Sequence, residues 1–178
     1  LKTVDLSSFM PEAPVIATGM FNNCGALERV VLPKTGRWRF KDSMQAMFQL
    51  CGSLRDLDTS KFDVSQASSL AFMFYGCESL GEIDVSTWDV SNIESFDHFA
   101  AHAMLKRKGI EKWDISSAEN VNAMFHNCAE EELDLSGYNT SNVQFFSQMF
   151  ENSPNLRIVR GLEKWDTSNG VSFYDMFG

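Results

Sequence analysis

No apolar run in this chain approaches the roughly 20 residues that a membrane-crossing helix needs, so insertion into a bilayer is not expected of this segment. The first residues, Leu1 to Leu6, lack the basic-then-apolar pattern of a secretion signal and lack an initiating Met. They read as the middle of a repeat, and the chain as a fragment of a longer protein. Basic residues are outnumbered, 15 Lys and Arg against 24 Asp and Glu, for a net charge of -9. A phosphate backbone needs a basic face, and the short cluster Lys106-Arg107-Lys108 does not supply one, so nucleic acid is not an expected partner. Histidine is scarce, with three residues, and the Gly-x-Ser-x-Gly elbow, the phosphate loop and Gly-x-Gly-x-x-Gly are absent. Carboxylate pairs occur only as repeat features, with no cleft to separate their pKa values. The expectation is a protein that is not an enzyme and needs no cofactor.

What is present is a repeat. Phe recurs at 21, 48, 74, 99, 125, 150 and 177, at intervals of 27, 26, 25, 26, 25 and 27 residues. Self-similarity at such a period is the signature of a solenoid. The clearest unit runs Met73-Phe74-x-x-Cys77-x-x-Leu80, then Ile83-Asp84-Val85-Ser86, then Trp88-Asp89-Val90-Ser91-Asn92. The four cysteines, Cys24, Cys51, Cys77 and Cys128, each follow a Phe by three residues. That placement suits a ladder of buried free thiols better than a disulfide framework, and it leaves the redox compartment open.

Each coil has room for one short parallel strand, such as Ile83-Asp84-Val85, and one short helix after Asp-x-Ser-Asn. Ser91 is placed to cap that helix, and Ile93, Phe96 and Phe99 follow at helical spacing. Such a helix is marginal alone, so stacking must stabilise it. The aromatic residues Phe9, Phe62, Trp88, Trp113, Tyr138 and Trp165 should form an internal ladder. The expected architecture is an α/β leucine-rich-repeat-like solenoid: a single curved domain over residues 1–178, with about six full coils, partial coils at both ends and no polar capping unit. Departures fall at Arg37-Trp38-Arg39-Phe40 in the first coil, at Lys108 in the fourth and at Glu130-Glu131-Glu132 in the fifth.

These residues resemble the BspA-type leucine-rich-repeat proteins, in the branch whose units read Met-Phe-x-x-Cys-x-x-Leu-x-x-Leu-Asp-Leu-Ser-x-Trp-Asp-Thr-Ser-Asn-Val. Met73 to Ile93 and Trp165 to Asn169 match most closely, and the likeness covers essentially the whole chain. The resemblance implies a surface protein of bacteria or protists that binds host proteins, other microbes or matrix. It brings no catalytic motif.

Alternate strand positions should face outward, giving a candidate binding row of Asp5, Arg29, Asp56, Asp58, Glu82, Asp84, Arg107, Glu132, Asp134 and Arg160. Solenoids commonly bind along such an extended face, and an acidic strip favours a basic patch on a partner. The expected function is a non-catalytic binding module of a surface adhesin, extracellular, for a protein or glycan. A structural spacer is the alternative, as is an interaction domain of an intracellular assembly. A second acidic row, Asp63, Asp89, Asp114 and Asp166, could ligate Ca²⁺, but its place before Ser favours backbone capping. Asp97, His98 and His102 have the i, i+4 look of a metal pair. The repeat instead puts His98 in the slot of Met73 and Met124 and His102 in that of Cys77 and Cys128, so no metal is expected. A buried His102 should make the fourth coil acid-sensitive.

Overall fold

The computed structural model describes residues 1–178. Eight short strands form: β1 (Thr3–Asp5), β2 (Arg29–Val31), β3 (Trp38–Ser43), β4 (Phe62–Ser69), β5 (Glu82–Asp84), β6 (Lys106–Lys108), β7 (Glu132–Asp134) and β8 (Ile158–Arg160). They wind as a β-solenoid of about six coils in which every pairing is parallel. One row joins β1 to β2, β5 to β6 and β7 to β8, with Val4 opposite Val30, Ile83 opposite Arg107 and Leu133 opposite Val159. A bridge from Arg29 to Asp56 adds the second coil to that row. A second row pairs β3 with β4 and continues as single bridges through Ser69, Ser95, Asn120, Phe145 and Ser172.

The strands are short because the sequence ends them. In β5 only Ile83 points inward, and the next residue, Asp84, accepts the Ser86 N–H on its Oδ1 at 3.0 Å, turning the chain. Asp5 and Asp134 do the same for Ser7 (2.9 Å) and Ser136 (3.0 Å). After β6 and β8 the chain turns at Gly109 and Gly161, both at φ 93°. A Cβ at either would collide with the backbone of Ser86 or Ser136 in the neighbouring coil, so only glycine fits.

The expected short helices do not form. Tight 3₁₀ turns occur at Thr59–Lys61, Ile110–Lys112 and Leu162–Lys164, and there is no α-helix. The segment around each Phe mark is instead a run of turns with two left-handed residues four apart. Examples are Phe72 and Gly76 (φ 57° and 68°), and Ala123 and Asn127 (φ 51° and 52°). A left-handed residue every fourth position stops helix propagation and aims alternate N–H groups at the next coil. Thus Leu70, Phe72, Phe74 and Gly76 donate to Ser95, Asp97, Phe99 and Ala101 carbonyls at 2.8–3.0 Å.

Of the expected internal ladder, Phe62, Trp88, Trp113 and Tyr138 are buried and Trp165 is half-buried, Trp38 joins them, and Phe9 is instead 48% exposed. Trp38 pairs with Phe62, and the Phe62–Trp88 and Trp88–Trp113 centroids lie 6.1 Å apart. Trp88 and Trp113 also donate their indole N–H to Thr59 O and Val85 O of the preceding coil, and Tyr138 OH does so to Ile110 O. Phe21–Phe48–Phe74 and Phe125–Phe150 stack at 5.2–5.7 Å in one contiguous core, and the exposed Phe177 stacks on Phe150 at 5.4 Å. Cys51, Cys77 and Cys128 are buried and Cys24 half-buried, with no disulfide among them. The Cys51 and Cys77 thiols donate to Phe21 O and Phe48 O at 3.1 Å, and burial pushes Cys51 up to about 11.

Taking Phe99, 25 residues after Phe74, as the mark misplaces the fourth coil by one residue. Phe48 N–H meets Met73 O, whereas Phe74 N–H meets Phe99 O, so Phe99 stands in the Met73 slot and Ala100 in that of Phe74. Phe99 accordingly lies at 82° to Phe74, and the Phe stack is interrupted. His98 and His102 therefore occupy the left-handed positions of Phe72 and Gly76, not those of Met73 and Cys77. His102 is exposed and Ala103 is the buried residue beside it.

Candidate functional site

Nine of the ten expected residues of the sheet face reach the surface, positioned by the first strand row. Several are already engaged. Arg29 Nε lies 2.9 Å from Asp56, Lys108 Nζ 2.6 Å from Asp84, and Arg160 2.7 Å from Glu132. Glu28 likewise receives Lys2 at 2.9 Å and a contact from Arg55. Each pair crosses from one coil to the next. Asp5, Asp58, Asp84 and Asp134 also close backbone turns, Asp58 by accepting Ser60 N–H at 3.2 Å. The Lys108 hydrogen bond, then those from Ser86, hold the Asp84 carboxyl down to about 2. Ser136 and Ser7 hydrogen bonds hold Asp134 and Asp5 below the usual carboxylate range. Glu82 is exposed with no such duty, as is the neighbouring Lys106.

Arg107 is the exception. It does not face outward: it stands opposite Ile83 and is 3% exposed. The outward residues of β6 are Lys106 and Lys108, which sequence spacing missed. The reason is a shortened corner. Six residues separate Cys77 from the inward strand residue Ile83, but four separate Ala103 from Arg107 and five separate Cys128 from Leu133. Inside, Arg107 donates Nε and Nη2 to Glu130 at 3.2 and 2.6 Å and Nη1 to Met124 O at 3.2 Å, and its guanidinium lies 5.1 Å from the Phe125 ring centre. Burial pushes the Glu130 carboxyl up, but Arg107 outweighs it and leaves the group below its ordinary value. A charged residue in an apolar slot requires such a partner, and the acidic run at 130–132 was the signal for it.

The second acidic row caps turns, as its sequence position suggested. Asp63, Asp89, Asp114 and Asp166 accept from the N–H of Ser65, Ser91, Ser116 and Ser168 at 2.9–3.2 Å. The following Asn clamps coils together: Asn92, Asn142 and Asn169 donate to Ser65, Ser116 and Ser141 carbonyls at 2.7–2.9 Å. His98 Nδ1 sits 2.7 Å from Asp97 and its ring stacks on Phe72 at 4.9 Å. His102 faces His126 at 4.3 Å, and no group of three or more His, Cys, Asp or Glu is placed to hold a metal ion. No helix is long and apolar enough to cross a membrane.

None of the curated proteins compared with the chain matches it. Among solved structures, the chain is similar to a leucine-rich cell surface protein from Faecalibacterium prausnitzii A2-165, at 14% identity and a TM-score of 0.47 over 89% of this chain. The aligned part spans 42% of that protein's chain. A family model matches residues 15–132 and, overlapping it, 82–178, so the chain belongs to the family described as Mycoplasma protein of unknown function, DUF285.

Proposed function

We propose that this array is a non-catalytic binding module of a cell-surface, extracellular protein, and that it recognises a protein or glycan through the outward row of the sheet. The observation that carries the reading is the contrast between the two sides of one strand row. Inward positions are apolar or internally neutralised: Val4, Val30, Leu57, Ile83, Leu133, Val159 and the paired Arg107. Outward positions change from coil to coil, from Asp56 and Asp58 through Glu82 to Lys106 and Lys108, then Glu132 and Asp134. Solubility alone needs only polarity there; changing charge on a stacked frame is what a recognition surface uses. One observation favours a spacer instead. The ion pairs Arg29–Asp56, Lys108–Asp84 and Arg160–Glu132 satisfy charges within the array.

The test uses Glu82→Lys with Lys106→Glu, which disturbs neither a turn cap nor an ion pair. Substituting Asp58, Asp84 or Asp134 would break turns and confuse folding with binding. The purified chain and the double variant are compared on matrix proteins, host cells and glycans, with matched melting curves. Saturable binding that the folded variant loses supports the sheet face. Absence of binding, or equal binding by both, favours the spacer.

A further inference from the structure

Three independent irregularities meet at one place, between the fourth and fifth coils. The first is in the strand row. β6 and β7 make no ladder, Arg107 N–H donates to the Glu130 side chain at 2.9 Å, and a cleft of about 320 Å³ opens between Arg107, Glu130, Leu133 and Asp134. The second is in the turns. Four turn-to-turn amide bonds join segment 70–76 to segment 95–101, and four join 121–127 to 145–151. Between 96–102 and 120–126 only Phe96 to Asn120 and His98 to Asn122 remain. The third is the interrupted Phe stack at Ala100.

All three histidines of the chain gather at this junction. His126 is 5% exposed and packs on His102, with ring centroids 4.3 Å apart. Its Nδ1 is buried without a hydrogen-bond partner, and its Nε2 lies 3.4 Å from the Asn152 side-chain amide nitrogen. In the imidazolium both ring nitrogens carry hydrogen. Nδ1–H would then be buried without an acceptor, and Nε2–H would face an amide that also donates. We infer that the junction of the fourth and fifth coils is an acid-sensitive seam, closed while His126 is neutral and opened when His126 is protonated.

The charged and titratable groups around His126 are few. His102 and His98 approach from the fourth coil, His98 carrying Asp97 with it, and Tyr75 packs on His102 from the third. Glu151 approaches from the sixth and favours the charged form, but burial first, then His102, hold His126 below its ordinary value. A group with a depressed folded-state pKa binds fewer protons folded than unfolded. Its stabilisation is complete above the unfolded value, near 6.5, and is lost as pH falls through the folded one. The seam therefore weakens as pH falls below about 6.5. Contact is only between neighbouring coils in a solenoid, so an opened seam divides the array locally.

The array itself supplies conservative variants. Gln49 occupies the slot of His126, and Asn23, Asn127 and Asn152 occupy that of His102. The wild type and a His102→Asn, His126→Gln double variant are melted from pH 7.5 to 5.0. An NMR titration follows the ring protons, and hydrogen exchange corrected for intrinsic rates maps protection. The wild type is expected to lose roughly 2 °C or more of Tm beyond any loss in the variant. His126 should titrate below about 6.5, and protection should fall first at 96–108 and 120–134. Equal slopes, His126 titrating at or above about 6.5, or protection lost evenly along the chain would each overturn the inference.

Discussion

Removing one partner of a buried ion pair leaves a charge with neither water nor counterion, and Arg107–Glu130 is such a pair, its side chains 1% and 14% exposed. Arg107→Ala or Glu130→Ala should each cost about 3–5 kcal/mol in urea melts. The double change Arg107→Leu, Glu130→Ala should cost less than the two single losses together, because the apolar residue restores the slot that Ile83 and Leu133 fill. Similar cost for the pair and for the sum would mean that the two residues act independently. Glu130 stays ionised to lower pH folded than unfolded, so its contribution is present above the ordinary carboxylate range and is lost as pH falls through the folded value. A milder case is the turn cap. Asp89→Ala should cost about 1 kcal/mol, and Asp89→Asn almost nothing, because Asn139 already accepts Ser141 N–H in the same way at 3.1 Å. Most residues of the core were legible in the sequence because each coil repeats its neighbour. Arg107 was not, since the Phe99 mark places its strand one residue late, and a one-residue slip exchanges inward for outward positions.

The turn segment shows why a helical period need not make a helix. Ile93, Phe96 and Phe99 are buried at spacings that satisfy helix and nested turns alike. The distinguishing signal lay one residue ahead of the Cys slot, where Asn23, Gly76, Asn127 and Asn152 recur, all left-handed. Asn and Gly tolerate that conformation, and other residues are strained in it. Leu50 is left-handed at φ 59° in the equivalent position and 44% exposed. Leu50→Asn should therefore raise stability by roughly 0.5–1 kcal/mol, and Asn127→Val should lower it by about 1 kcal/mol or more. Thermal melts of the two variants check both signs. A helix in that segment would reverse the first, because leucine is the better helix former.

At the scale of the whole molecule the sheet face and its frame answer to different constraints. The frame was readable because stacking demands the same apolar residues in every coil. The face was readable only as a row of positions, because cross-coil pairs such as Arg160–Glu132 depend on rotamers that no spacing encodes. Exposed pairs of that kind contribute little, about 0–1 kcal/mol, so the stability of the array rests on coil-to-coil packing and amide ladders. Those ladders are unequal. Phe74 and Gly76 donate to the next coil at 2.8 and 2.9 Å, and Phe125 and Asn127 do so at 2.9 Å, whereas the Ala100 and His102 N–H groups make no such bond. At neutral pH, amide exchange at Ala100 and His102 should therefore run roughly tenfold or more faster than at those four positions once intrinsic rates are removed. The measurement separates a local defect from a global one. Fast exchange confined to Ala100 and His102 marks two missing bonds in an otherwise closed array, and fast exchange extending through Arg107 and Leu133 marks a seam already opening at neutral pH. Uniform protection across all six positions would show that the coils are joined evenly, and the interrupted ladder would then carry no energetic weight.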